Sequence, residues 1–145
     1  TVTKALFDGA NFVTIDAAEH DKKIAVILGL THLMNLVFAN IISKDEKMNL
    51  TEKMSGTTFR VQKTLAEGIM TESPELIETI IANPEIRRVA EELWKDIGRL
   101  LTSVQESKTE EVVNYIKECQ ERLAKHTDIT ESHKRMTKMA KAVEK

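Results

Sequence analysis

The sequence predicts an all-α fold: a helical bundle around one long apolar central helix, completed as an intertwined homodimer. Three observations carry this. Breakers are scarce, with 5 glycines and 2 prolines in 145 residues, so turns are few and helices long. Residues 24–42 read IAVILGLTHLMNLVFANII, apolar nearly all round a helix. Such a helix needs cover on every side, and the least costly cover is neighbouring helices plus a second copy of the chain. Finally, Ile86, Val89, Ala90, Leu93, Trp94, Ile97, Leu100, Leu101 and Val104 keep the i, i+3, i+4, i+7 spacing of an amphipathic helix over about five turns.

In chain order, residues 1–8 read as the end of a helix stopped by Gly9. Asn11 to Ile15 alternates and is β-branched, as in a short strand. One strand alone leaves its backbone groups unpaired, so it is either an extended lead-in or the last strand of a preceding sheet. A start at Thr1 rather than Met leads us to expect a piece of a longer polypeptide. Asp16 with Glu19 makes an Asp-x-x-Glu capping box that opens the central helix, which runs to about Ser43. Its apolar stretch spans roughly 28 Å, enough for a membrane. Thr31, His32, Asn35 and Asn40 interrupt it and no other segment resembles a span, so a bundle core is expected and no membrane.

Residues 44–55 are polar, with room for a short helix at most. A helix follows Gly56, from about Thr57 to Met70. Ser73-Pro74 and Asn83-Pro84 each place a capping residue before a proline at the helix start; the first opens a short helix and the second the long stripe. Ser107 with Glu110 reads as another capping box, before a helix carrying Val112, Val113, Ile116, Cys119 and Leu123. Beyond His126 the Lys-rich chain forms a terminal helix through Met136, Met139 and Val143, or a linker. The division is thus 1–15, a remnant of a preceding domain; 16–126, the helical domain; and 127–145, a tail or linker helix.

With 41% apolar and 30% charged residues the composition suits one soluble domain. A net charge of −2 with signs interspersed offers no basic face for nucleic acid. Cys119 is the only cysteine, so there is no disulfide framework or cysteine-based metal site, and a reducing cytoplasm fits.

The sequence lacks a Gly-x-Gly-x-x-Gly, a phosphate loop and a Gly-x-Ser-x-Gly elbow. We therefore expect no catalytic, cofactor or metal residues in this chain. His126 and His133 fall in the polar tail and read as surface residues. His20, within Glu19-His20-Asp21, has a local capping or packing reading beside a ligand one. His32 lies in an apolar run, where an unpartnered imidazole costs on the order of 1–3 kcal/mol. A hydrogen bond to Asn35, or to Asn40 of a second copy, is its bland reading, and a ligand role the sharper one. Arg60 and Lys63 lie one turn apart, either solvated or forming a cationic patch beside His32. Trp94 fits the apolar stripe and reads as core.

Gly9-Ala10 through Ile15, Ala18-Glu19-His20-Asp21-Lys22-Lys23 and Leu30-Thr31-His32-Leu33 together resemble the carboxy-terminal half of prephenate dehydrogenases. That family has Glu-His-Asp at the head of a long apolar helix and a second His twelve residues on, a spacing His20 and His32 keep. Ser55-Gly56, Phe59-Arg60, Glu75-Leu76 and Ile80-Ile81 follow in the family's order, and the resemblance covers roughly residues 9–125. It implies an enzyme that uses NAD or NADP to convert prephenate to 4-hydroxyphenylpyruvate, with loss of carbon dioxide, on the route to tyrosine. An amino-terminal Rossmann domain holds the nucleotide and the catalytic histidine. The helical domain, inactive alone, supplies the dimer interface through the 24–42 helix and one wall of the prephenate pocket. His32 then binds substrate, joined by His20, Arg60 and Lys63, because a dicarboxylate needs cations and donors. Many members carry a carboxylate-binding arginine where this chain has Gly68. Arg60 or Lys63 replaces it, or the register is shifted, or the substrate is another, such as arogenate. Two other readings stay open: a non-enzymatic helical dimerisation module, and the helical domain of a related hydroxy-acid dehydrogenase.

Overall fold

A computed structural model describes residues 12–143. Among them are seven helices and no strand. The central helix α1 spans Ala17–Ile42. Asp16 caps it as the sequence requires, its carboxylate accepting the Glu19 amide at 2.8 Å. The helix widens into a π-helix over Ala25–Leu30 and resumes α geometry at Thr31. The others are α2 (Met48–Met54), α3 (Thr57–Ile69), α4 (Pro74–Ile81), α5 (Ile86–Gln105), α6 (Thr109–Ala124) and α7 (Ile129–Val143).

Helix α3 lies antiparallel along the second half of α1. Phe38 meets Phe59 with ring centroids 5.9 Å apart, and Asn35 meets Gln62 one turn earlier on α1. Helix α5 crosses the π-helical stretch. There Gly29 permits a close approach: a Cβ at this position would stand 2.4 Å from Ile86 Cδ1. Ala25, Ile86 and Val89 form the core at this crossing, flanked by Leu30 and Leu33. Helix α4 packs on α1, α6 folds back on α5, and α7 packs against α3. The tail after residue 126 is therefore a docked helix, with Ala140 only 4% exposed.

Four features depart from the sequence reading. Phe12 to Ile15 forms no strand and is exposed, because no second strand among the described residues is there to pair with it; Asn11 and the helix expected over 1–8 lie outside the described residues. Ser107 is no N-cap. It adopts φ 55° and ends α5 in a Schellman motif, with the Lys108 amide on the Ser103 carbonyl at 2.8 Å and the Ser107 amide on the Val104 carbonyl at 3.1 Å. Asn83-Pro84 repeats the Ser73-Pro74 device only in part. Asn83 Oδ1 accepts the Glu85 amide at 2.9 Å, yet α5 begins at Ile86. Trp94 is not core but 78% exposed, because it stands on the wall of an open groove with Leu33, Ile81 and Ile86 rather than packed between helices.

Helix α1 is long and apolar enough to cross a membrane by length and composition, yet only 22% of its apolar window is buried within one chain. Its inner face (Ala25, Gly29, His32, Asn35) is buried, while Val26, Ile27, Met34, Val37 and Ile41 are exposed. No large side chain among the described residues is fully buried. A single copy thus has a thin core for its length.

Candidate functional site

His32 is the polar residue that the fold treats most deliberately. Its position on the inner face of α1 leaves it 6% exposed. Nδ1 lies 2.8 Å from the Leu28 carbonyl. A carbonyl only accepts, so Nδ1 carries the proton and donates. Nε2 is turned to the Glu72 carboxylate at 3.4 Å. The expected partner Asn35 is engaged elsewhere: its amide nitrogen donates to the Thr31 carbonyl at 2.8 Å, and its oxygen accepts from Gln62 Nε2 at 2.8 Å. The cause is helical geometry. Three residues on, Asn35 is rotated toward the middle of α3, whereas His32 faces the connection after α3, where Glu72 sits.

Glu72 and Gln62 are the residues that sequence reasoning missed. Nothing local marks them, since each acquires its role only from the antiparallel pairing of α3 with α1. Glu72 also lines a cavity of about 540 Å³ whose other walls include Leu36, Met70, Pro74, Ile77 and Glu78. The site beside His32 is therefore an apolar cleft with carboxylates on its wall.

Arg60 and Lys63 do come together, on a cavity of about 370 Å³ shared with Phe59, Glu52 and Val143. They do not stand beside His32. Because α3 runs antiparallel to α1, its first turn lies near Phe38, about 9 Å along α1 from His32 at 1.5 Å per residue. Arg60 Nε donates to the Ser55 hydroxyl at 3.2 Å. Lys63 is clamped between Glu67 and Glu52, the latter at 3.1 Å. Hydrogen bonds to Glu67 and then Glu52 raise its ammonium above the ordinary lysine value. A cation so held is already neutralised, and an incoming carboxylate competes with two resident ones.

His20 is solvent-exposed at the helix head, its Nδ1 3.2 Å from the neighbouring Asp21 carboxylate. The structure joins it to none of His32, Arg60 and Lys63. Gly68 is exposed on α3, and a Cβ there would meet nothing within 4 Å. Close packing at the backbone therefore does not require glycine at this position. His126 and His133 are exposed, as their polar surroundings indicated.

Against known proteins, residues 16–118 match the family model described as prephenate dehydrogenase, dimerization domain. The match begins at the Asp16 cap and ends within α6, so α7 lies beyond it. Neither a curated protein nor a solved structure matches the chain.

Proposed function

The chain belongs to the prephenate dehydrogenase dimerization-domain family, and from that premise we propose that it works as the carboxy-terminal half of a cytoplasmic dehydrogenase, pairing two subunits and walling the substrate pocket. The reaction is the oxidative decarboxylation of prephenate to 4-hydroxyphenylpyruvate, in tyrosine biosynthesis. NAD or NADP accepts the hydride when bound. This chain offers it no cradle, having no Gly-x-Gly-x-x-Gly anywhere, so the nucleotide and the catalytic histidine belong to an amino-terminal Rossmann domain. The family match over the α1–α6 region carries this reading.

Within it, the exposed face of α1 meets the same face of a second subunit. From Ile27, the exposed Met34, Val37 and Ile41 follow at intervals of seven, three and four residues, with Val26 beside the first, the spacing at which helix faces pack. His32 is the substrate-facing residue of α1, with its imidazole oriented by Leu28 and Glu72. Arg60 and Lys63, on their separate cavity, and His20, at the exposed head of α1, join the substrate only where the nucleotide domain or the second subunit completes the pocket around them. His32→Ala in the full-length enzyme should raise the KM for prephenate about tenfold or more, as expected for a lost charge-assisted hydrogen bond, with the KM for nucleotide nearly unchanged. Equal KM values for prephenate in the two enzymes remove His32 from the pocket.

One observation favours a second substrate, arogenate. It carries an ammonium where prephenate has a keto group, and the cleft beside His32 is walled by Glu72 and Glu78. Comparing kcat/KM for the two substrates on the same enzyme separates these readings.

A further inference from the structure

The largest of the clefts described here, about 860 Å³, is an open groove between α1, the α4–α5 corner and α5, with a floor that includes Leu33, Ile81, Pro84 and Ile86. Trp94 stands on its wall, 78% exposed. An indole left bare on an apolar groove has the chemistry of an interface anchor. Arg87 and Lys95 flank it, with one carboxylate, Glu91, between them. Among the described residues neither cation has a carboxylate at ion-pair distance, whereas the neighbouring Arg88 is paired with Glu92 at 2.8 Å.

The adjoining helix α4 has the opposite character. It carries Glu75 and Glu78 and no basic residue, and its Leu76 is 49% exposed. Neither Glu75 nor Glu78 has an ion-pair partner among the described residues. A cationic apolar groove therefore lies beside an anionic apolar helix on one surface. A two-fold interface needs this arrangement: each patch must complement itself when rotated, so that residue i of one copy meets residue j of the other and j meets i.

We propose that the groove beside Trp94 seats α4 of a second copy of this chain, so that Arg87 and Lys95 of each copy meet Glu75 and Glu78 of the other. The inference rests on the homodimer proposed above and adds to it a second contact region, next to the α1 face. Because α4 also forms a wall of the Glu72 cleft, the second copy brings cations to the rim of the site near His32.

The test uses sedimentation equilibrium on the 145-residue chain. Arg87→Glu with Lys95→Glu should weaken dimerisation about tenfold or more, and Glu75→Lys with Glu78→Lys likewise, since like charges are then opposed. All four positions are exposed, and circular dichroism checks that helicity is retained. Mixing the two double variants should restore a heterodimer of near wild-type affinity. Dissociation constants within about twofold of wild type, or a mixture no tighter than either variant alone, overturn the interface while leaving the homodimer intact. A wild-type chain that sediments as a monomer overturns the homodimer itself. A second measurement needs no variant: carbodiimide coupling of a mixed isotope-labelled and unlabelled dimer should join Lys95 of one copy to Glu75 or Glu78 of the other. Their absence from the coupled peptides also overturns it.

Discussion

The two halves of α5 carry one continuous apolar stripe but meet different fates. At its start, Ile86 is 3% and Val89 4% exposed, pressed against Ala25 and Gly29 of α1. Further on, Trp94 is 78%, Leu101 55% and Val104 64% exposed. The outer face of α1 behaves like the second half of α5. Periodicity thus identifies which face of a helix is apolar but not what covers it. The covered half defines the fold of one chain, while the bare half is the face that the proposed dimer would cover.

The sharpest test of that contrast pairs a truncation in each half. Ile86→Ala should destabilise the chain by about 2–5 kcal/mol, the range for emptying a packed aliphatic site. Leu101→Ala should cost under about 0.5 kcal/mol of the stability of one chain, and act through the concentration-dependent part that association contributes. Urea unfolding at two protein concentrations separates the two. If both variants lose stability equally at low concentration, α5 is buried along its whole length within one copy and the contrast is wrong.

Gly29 probes how tightly the covered half is closed. An alanine there gains about 1 kcal/mol in helix propensity. Its methyl group, however, would stand 2.4 Å from Ile86 Cδ1 and 2.5 Å from Cγ1. Because Ile86 is buried, relief requires a rotamer change against Val89 and Ala25, and overpacking of that kind costs about 1–3 kcal/mol. The net expectation is a loss of about 1 kcal/mol in urea unfolding. A stabilised Gly29→Ala variant would mean that the α1–α5 crossing opens readily.

Much of this architecture was legible in the sequence because it is local. The Asp16 and Ser73 caps, the breaker-free run to Ile42 and the stripe from Ile86 each follow from a few adjacent residues. The site was legible only in part. That His32 is a polar residue within an apolar helix could be read, but the face it takes and its partner Glu72, forty residues away, depend on the antiparallel pairing of α3, which no short-range signal encodes. The same pairing parts Arg60 and Lys63 from His32. The exposure of Trp94 was illegible for another reason: an apolar stripe left bare and one packed in the core have the same spacing.

Ser107 offers the smallest effect, at the boundary between the bare half of α5 and α6. Ser-x-x-Glu can cap the helix that follows, yet here Ser107 ends the helix that precedes it. Its left-handed φ of 55° lets the amides of Ser107 and Lys108 close onto the Val104 and Ser103 carbonyls. A residue with a Cβ bears a penalty in that conformation that glycine lacks. Ser107→Gly should therefore stabilise the chain by about 0.5–1 kcal/mol in urea unfolding, offset slightly by the greater freedom of the unfolded glycine. Were Ser107 instead a side-chain cap for α6, the same substitution would remove its hydroxyl acceptor and lower stability by a few tenths of a kcal/mol. The sign of a single measured change thus decides between the two local readings. A loss would mean that α6 is fastened at its start and that the bare half of α5 is held more firmly than its end geometry indicates.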